Sequence, residues 1–376
     1  MRILAIDVGT GTQDILLFDS RQPMENCVQL VMPAPTVIVA QRIQAATAAR
    51  RPVVLTGVNM GGGPSTGAAV AHVRAGLPVY ATPQAAVTFD DDLAKVRRLG
   101  ITLVSEEEAR GLGDVERITL QDVDLAAIDR ALAAFGVEPA YDALAVAVFD
   151  HGNAPPDVSD RVFRFEYLRQ RVQRDRRLSS FAMLAEELPP SLTRMLAVAE
   201  SVRVREGGFH GPVVLLDSAQ AGVWGALSDP EVTRHRRKVL VNVGNEHVLA
   251  FHLAGERILG LWEHHSHQLK PGEMESSIRR LVAGQLSTQE VFVQGGHGAL
   301  VLESRRRLPF VGVTGPLRAR LQGSRLRAHP AAPFGDMMLA GCYGLVRACS
   351  QKLPQWREEI EAALAGQPAP GPGHAH

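Results

Sequence analysis

The sequence predicts an α/β protein large enough for two domains, and three observations carry that expectation. The chain has 376 residues, enough for two sizeable cores. Strand-like apolar runs alternate with helix-like ones. Two strand pairs, one at the start and one after residue 238, are joined by glycine-bearing turns. Hydrophobic residues make up 45% and charged residues 21%, ordinary for a globular protein. Lys+Arg and Asp+Glu both number 40, so no net charge draws the chain toward nucleic acid or a membrane surface. No window approaches 18 consecutive apolar residues, and the N-terminus enters a strand at once without a signal-like region. The expected location is cytoplasmic. Cys27, Cys342 and Cys349 have no CxxC spacing, which argues against a disulfide framework or an iron–sulfur cluster.

The first element is a hairpin. The apolar run Ile3 to Ile6 reaches Asp7, then the turn Val8-Gly9-Thr10-Gly11-Thr12, then a second run, Ile15 to Phe18. Gly9 and Gly11 let the backbone approach a ligand, and successive N–H groups in such a turn form an anion nest. Thr10 and Thr12 add hydroxyls, and Asp7 at the strand end can hold Mg²⁺ through water. Thr36 to Ile38 reads as a short strand and Val39 to Arg50 as a helix. Pro52 to Thr56 is a buried-strand run that meets a second glycine loop carrying Gly61, Gly62 and Gly63, with a helix from Gly67 to Ala75 after it. Strand, glycines and helix suit an anion at a helix N-terminus. The Gly-Lys-Ser/Thr ending of a Walker motif is missing. Two readings stay open: a tight backbone crossing, or a substrate loop facing a cleft.

Ser105 and Glu108 have capping-box spacing. Ala143 to Phe149 is an apolar strand that ends at Asp150-His151-Gly152. Residues 161–188 form an arginine-rich helical segment. Interleaved Asp160, Glu166 and Asp175 favour a solvated face over a surface for RNA or an acidic partner. Pro212 to Leu216 is a strand ending at Asp217, before a small-residue helix, Ser218 to Leu227. Val239 to Val243 and Val248 to His252 flank the turn Gly244-Asn245-Glu246-His247, and Ile258 to Trp262 follows as a third strand. Val291 to Val293 reads as a strand meeting Gly295-Gly296-His297-Gly298, and Gly335 to Cys349 as a final helix. The expected boundary lies at Glu206-Gly207-Gly208. It divides an N-terminal domain, 1–209 with an insertion near 27–141, from a C-terminal domain, 210–365. Residues 366–376 read as a disordered Pro/Gly tail.

Glu263-His264-His265-Ser266-His267 is the densest metal-capable cluster. On a continuing strand His264 and His265 face opposite sides, so only one can join Glu263 or His267. The spacing is not a recognised zinc pattern. Either these are polar residues capping the next helix, or His264 and His267 touch a substrate. His151, His247 and His297 also lie in turns expected near a cleft.

Four segments in order resemble the actin-like ATPase superfamily of sugar kinases, actin and heat-shock chaperone ATPases. DVGTGTQD resembles its first phosphate motif, and VLVNVGNEHVLAF its second. VFVQGGHG resembles the strand-to-GG turn that receives adenosine, and DSAQAGVWGAL the Asp-led helix of FGGY carbohydrate kinases. AVFDHG sits where those kinases carry a His-Gly strand end at the sugar site. The resemblance implies a two-domain actin-like (ribonuclease H-like) fold with a nucleotide cleft between domains, and ATP and Mg²⁺ as cofactors. It implies that Asp7, Gly9, Thr10, Gly11 and Thr12 cradle phosphates and metal, with Gly244 and Asn245 closing over them. Gly295, Gly296 and Gly298 would admit adenosine, and Asp217 or Asp150, beside His151, would be the base. The second motif departs from Asp-x-Gly-x-Thr, with Asn242 for the Asp and no Thr. Glu246 there needs Mg²⁺ or a histidine to offset its charge. With MGGGP, EHH and GDMM added, the pattern is similar to a family labelled putative pyruvate formate-lyase-activating enzyme. That label implies radical chemistry on a CxxxCxxC cluster, and this chain has no such triad.

The leading expectation is ATP-dependent phosphotransfer to a small hydroxylated or acidic molecule. A nucleotide-controlled switch that binds a protein partner without turnover is the second, and a metal-assisted hydrolase using residues 263–267 the third.

Overall fold

The computed structural model describes residues 1–204, 208–367 and 369. Residues 205–207, at the expected domain boundary, and most of the Pro/Gly tail lie outside the described residues.

Two six-stranded sheets repeat one plan. In the first, Arg2–Val8 and Thr12–Asp19 form the expected hairpin, and Val28–Pro33 adds antiparallel on the outside. On the other side of Arg2–Val8 come Ala143–Val148 and then Val213–Leu216, both parallel to it, with Met183–Leu184 at the edge. In the second sheet Arg237–Val243, His247–Ala254 and Arg257–His265 form the antiparallel meander, extended by Gly298–Val301. Phe310–Thr314 lies parallel to Arg237–Val243, followed by the short His329–Pro330. Three antiparallel strands followed by parallel ones, twice in one chain, is the duplicated ribonuclease H-like plan of the actin-like ATPases. The strand Val213–Leu216, which the sequence reading put in the second half, belongs to the first sheet.

The central strands are apolar on both faces because helices cover both. All six residues of Ala143–Val148 are buried, the mark of a parallel strand inside a sandwich of helices. Helix Ser218–Ala226 and helix Ala340–Lys352 cross at backbone contact. A Cβ on Gly225 would lie 1.7 Å from the Ala340 carbonyl oxygen, and one on Gly344 2.0 Å from that of Ala221. Only glycine permits this approach.

Between Val28–Pro33 and Ala143–Val148 the chain builds a third sheet. Its four strands, all parallel, run in the order Ile101–Leu103, Val79–Ala81, Val53–Gly57, Glu116–Leu120. This is the segment expected as an insertion. Thr36 to Ile38 opens the helix Pro35–Ala48 instead of forming a strand. Pro35 at the first helical position presets φ, and that start signal outweighs the β-branched run behind it.

Val291 to Val293 is likewise helical, within Thr288–Val293. The Ser287 side chain accepts from Glu290 N, so the Ser-x-x-Glu start signal prevails over the apolar run. The arginine-rich segment is α-helical over Asp160–Arg174 and continues only as short 3₁₀ turns at Leu178–Phe181 and Ala185–Glu187. No described helix is long and apolar enough to cross a membrane.

Candidate functional site

The ends of the central strands open onto one cleft of about 1290 Å³. The two glycine turns form its floor and have the same closure. Gly9 N donates to the Thr12 carbonyl at 2.9 Å, and Gly244 N to the His247 carbonyl at 2.9 Å. They face each other: a Cβ on Gly11 would lie 3.1 Å from Asn245 Nδ2. Asp7, Gly9, Thr10, Gly11, Thr12, Gly244 and Asn245 therefore converge as the sequence suggests.

Asp7 is paired in the hairpin register with Asp14, a residue that sequence reasoning missed. Oδ1 of each is buried without a hydrogen-bond partner. Burial above all, then the charge of Asp14, pushes Asp7 up to about 8, against the pull of the Ser218 hydroxyl. Burial also takes Asp14 to about 7, opposed by a bond from Thr12. Like charges directly opposite in a sheet are unfavourable. Orphaned buried oxygens with no cation are the donor set a hard divalent ion takes, so the residues present fit Mg²⁺. Glu246 Oε2 lies 3.0 Å from His267 Nε2.

The second glycine loop faces the cleft. The inserted sheet reverses strand order between Val53–Gly57 and Glu116–Leu120. Their C-terminal ends carry Gly61 to Gly63 and Asp122, all on the cleft wall. Open parallel sheets bind ligands at such a switch point. Gly61 N donates to Asp122 Oδ1 at 3.1 Å. Arg194 grips both Asp122 oxygens at 2.7 and 2.8 Å. A Cβ on Gly61 would lie 2.6 Å from Arg194 Nη2.

The two candidate bases separate. Asp150 lines the cleft, its carboxyl accepting from Gly152 N at 2.8 Å and Met195 N at 2.9 Å. Burial raises its pKa, against those two bonds. Asp217 stands behind the wall. Its oxygens take Ala219 N at 3.1 Å and Arg164 Nη1 at 2.8 Å. Arg164 also binds both oxygens of Glu263 and the Asp150 carbonyl. Its side chain is 2% exposed, so the solvated-face reading fails for this arginine. The sequence signal was periodicity: Arg164 is four residues before Leu168, which is four before Val172, and all three are buried.

The histidines divide by strand alternation. His264 turns from the cleft and packs against Gly296, whose Cβ would lie 2.4 Å from its ring. His265 faces the cleft. Glu263 is consumed by Arg164, so residues 263–267 do not assemble as one metal cluster. Gly295, Gly296 and Gly298 do not line the cleft; a Cβ at each would strike Gln268, His264 or Phe165. The strand end that does reach the cleft is Thr314-Gly315-Pro316, with Gly315 at φ +95°. Sequence reasoning passed over it, although strand, glycine and proline is a turn signal.

His151, His247 and His297, from three separate turns, place one ring nitrogen each within 4.8 Å of the others. Burial first, then neighbouring charges, holds His151 at about 3 and His265 at about 4, and pushes His247 and His297 down. All four rings are neutral at physiological pH.

Two duplicated sheets around one cleft give the chain the actin-like (ribonuclease H-like) fold. More particularly, the chain belongs to the family described as "Putative pyruvate format-lyase activating enzyme (DUF1786)", whose model matches residues 60–320. Its three cysteines are buried and free. Solved structures similar to it include a ROK hexokinase from Thermus thermophilus, at 12% identity and TM-score 0.25, covering 69% of this chain and 48% of that one. The chain thus spans about half the length of that hexokinase chain. The ethanolamine utilization protein EutJ from Carboxydothermus hydrogenoformans is similar at 12% identity and TM-score 0.31, over 92% of this chain and 89% of that one. The PPX-GPPA enzyme of Aquifex aeolicus is similar at 9% identity and TM-score 0.24, over 84% and 68%. No curated protein matches the chain.

Proposed function

We propose that the chain transfers the terminal phosphoryl group of ATP, with Mg²⁺, to a small hydroxylated or acidic molecule. The observation that carries this reading is the pair of opposed glycine turns above the orphaned carboxylates of Asp7 and Asp14. With Gly9 N and Gly244 N spent on closing the turns, the N–H groups of Thr10 and Gly11 on one side and of Asn245 on the other bind the phosphates. Asp7 and Asp14 hold Mg²⁺, which supplies charge neutralisation as the phosphoryl group leaves. Thr314-Gly315-Pro316 is the turn that admits the adenosine, in place of residues 295–298. The acceptor lies between Gly61–Gly63 and Asp150. Each Asp150 oxygen has a lone pair beyond the backbone bond it accepts, so the carboxylate can take the acceptor's hydroxyl proton. Asp217 positions Arg164, and through it the Asp150 loop. Closure over the cleft excludes water.

The test is calorimetric titration with ATP, with and without Mg²⁺, on wild type and Asp7→Asn, followed by an ATP-turnover screen over small hydroxy compounds and carboxylates. Mg²⁺-dependent binding that is lost in a folded Asp7→Asn protein supports the reading. Equal affinity in both proteins at saturating Mg²⁺ rules it out.

A further inference from the structure

Three histidines at the cleft, His151, His247 and His265, and His297 buried behind them are not used by the function proposed above. His297 is fully buried, and neither of its ring nitrogens has a hydrogen-bond partner. His247 Nε2 is buried and unpartnered as well. A core histidine normally satisfies at least one nitrogen, because an unmet buried polar group costs about 1–3 kcal/mol. These orphans converge: His247 and His297 ring centroids are 5.1 Å apart, and His265 lies 4.7 and 4.8 Å from the two.

We propose that His151, His247 and His297 bind one divalent first-row transition ion, zinc being the representative, with His265 as a fourth ligand or beside an open position. Nitrogens bound at about 2.0–2.1 Å from one ion stand about 3–4 Å apart. A small turn of the imidazole χ2 angles, which are soft, closes the present arrangement to that spacing. The surroundings supply what such a site needs. His297 Nδ1 is 3.5 Å from Glu263 Oε2, the carboxylate placement that orients a metal-bound imidazole. Arg164 is cationic and close, but two buried carboxylates, Asp217 and Glu263, face its single charge. His247 and Phe149 are stacked at 4.0 Å, and Arg164 lies 3.7 Å over the other partner of that stack, Phe149, so the ring is held in place before metal arrives. All-imidazole donors suit zinc, iron, nickel or copper and not Mg²⁺, which separates this site from the one at Asp7. An open position would take water or an oxygen of a carboxylate or hydroxyl compound. Its assignment to the phosphoryl acceptor rests on the function proposed above; the metal site itself does not.

The experiment is a Co²⁺ titration of the full chain carrying His374→Ala and His376→Ala, read by visible absorption, with bound Zn²⁺ counted by elemental analysis. The expected result is one ion per chain, with the intense bands of a four- or five-coordinate imidazole site, unaffected by millimolar Mg²⁺. His151→Ala, at a cleft-exposed position that folding does not need, should weaken Co²⁺ affinity at least tenfold, and His297→Gln should abolish the bands. His267→Ala should change neither. Failure of wild type to bind Co²⁺ or Zn²⁺ at one per chain, or binding that survives both His151→Ala and His297→Gln, overturns the proposal. ATP binding without metal in the histidine site would leave the phosphotransfer reading standing and this one refuted.

Discussion

Asp7 and Asp14 stand directly opposite each other in the first hairpin, two carboxylates in register. Burial raises them to about 8 and about 7, from ordinary values near 3.8, helped at Asp7 by the charge of Asp14 and at Asp14 by that of Asp336. In the unfolded chain both lose their protons near pH 4; in the fold they keep them until near neutrality. The folded state binds more protons across that window, so apo stability falls as pH rises from about 4 to about 8.

The first prediction follows from that sign. Thermal melts without metal should show a lower Tm at pH 8.5 than at pH 6. Millimolar Mg²⁺ should raise Tm more at pH 8.5, where both carboxylates are ionised. At a hundredfold excess over Kd the gain is about 2.7 kcal/mol. Asp7→Asn should flatten the pH dependence and remove the Mg²⁺ response. A metal effect that is equal at both pH values would separate Mg²⁺ from this pair.

Gly341 gives the second. A Cβ there would lie 1.8 Å from Asp7 Oδ2 and displace the carboxylate. Gly341→Ala should weaken Mg²⁺·ATP binding at least tenfold while circular dichroism stays that of wild type. Calorimetric titration measures it, and unchanged affinity would mean that Asp7 does not bear on the nucleotide.

Arg164 gives the third. It is the single cation between buried Asp217 and Glu263. Arg164→Met leaves both carboxylates unpaired and should cost about 3–5 kcal/mol in urea melts. Replacing all three with apolar residues of similar volume should recover most of that loss. A single variant as stable as wild type would show that the network is not held together by charge.

The fourth separates two carboxylates by kinetics, once an acceptor is found. Asp150→Asn should lower kcat about 10²–10⁴-fold with ATP affinity retained. Asp217→Asn should lower the urea midpoint more than it lowers kcat, because Asp217 is bound to Arg164 behind the cleft wall. The opposite ranking would restore Asp217 as the base.

Much of the fold was legible because it is written locally. The hairpins at 2–19 and 237–265 announce themselves through apolar runs and glycine turns, and both glycine turns fall where the sequence reading put them. The failures share a cause. Val291 to Val293 and Thr36 to Ile38 are short β-prone runs whose fate is decided by a helix start just before them, Ser287 and Pro35. The partners of Arg164 are up to 99 residues away in sequence, so its charge read as solvent-facing. The meeting of His151, His247 and His297 depends on three turns converging from two sheets. Local pattern could place each histidine near a strand end, but not its nitrogen beside the other two. Strand alternation puts His264 and His265 on opposite sides; the sequence reading chose His264 and His267 for the cleft, whereas the pairing of His265 with His247 puts His265 there instead.

The third strand of the first sheet ends beside the first glycine turn, Pro33 opposite Thr12, and leads straight into the helix Pro35–Ala48. Ala34 N donates to the Gly11 carbonyl at 3.0 Å, and Thr36, two residues on, gives its hydroxyl to the Gly62 carbonyl. Gly63 approaches from the other side, where a Cβ would lie 3.3 Å from the Thr10 methyl. The first glycine turn and the second glycine loop, 51 residues apart in the chain, are thus tied together by two hydrogen bonds made from either end of one three-residue stretch, Ala34 to Thr36.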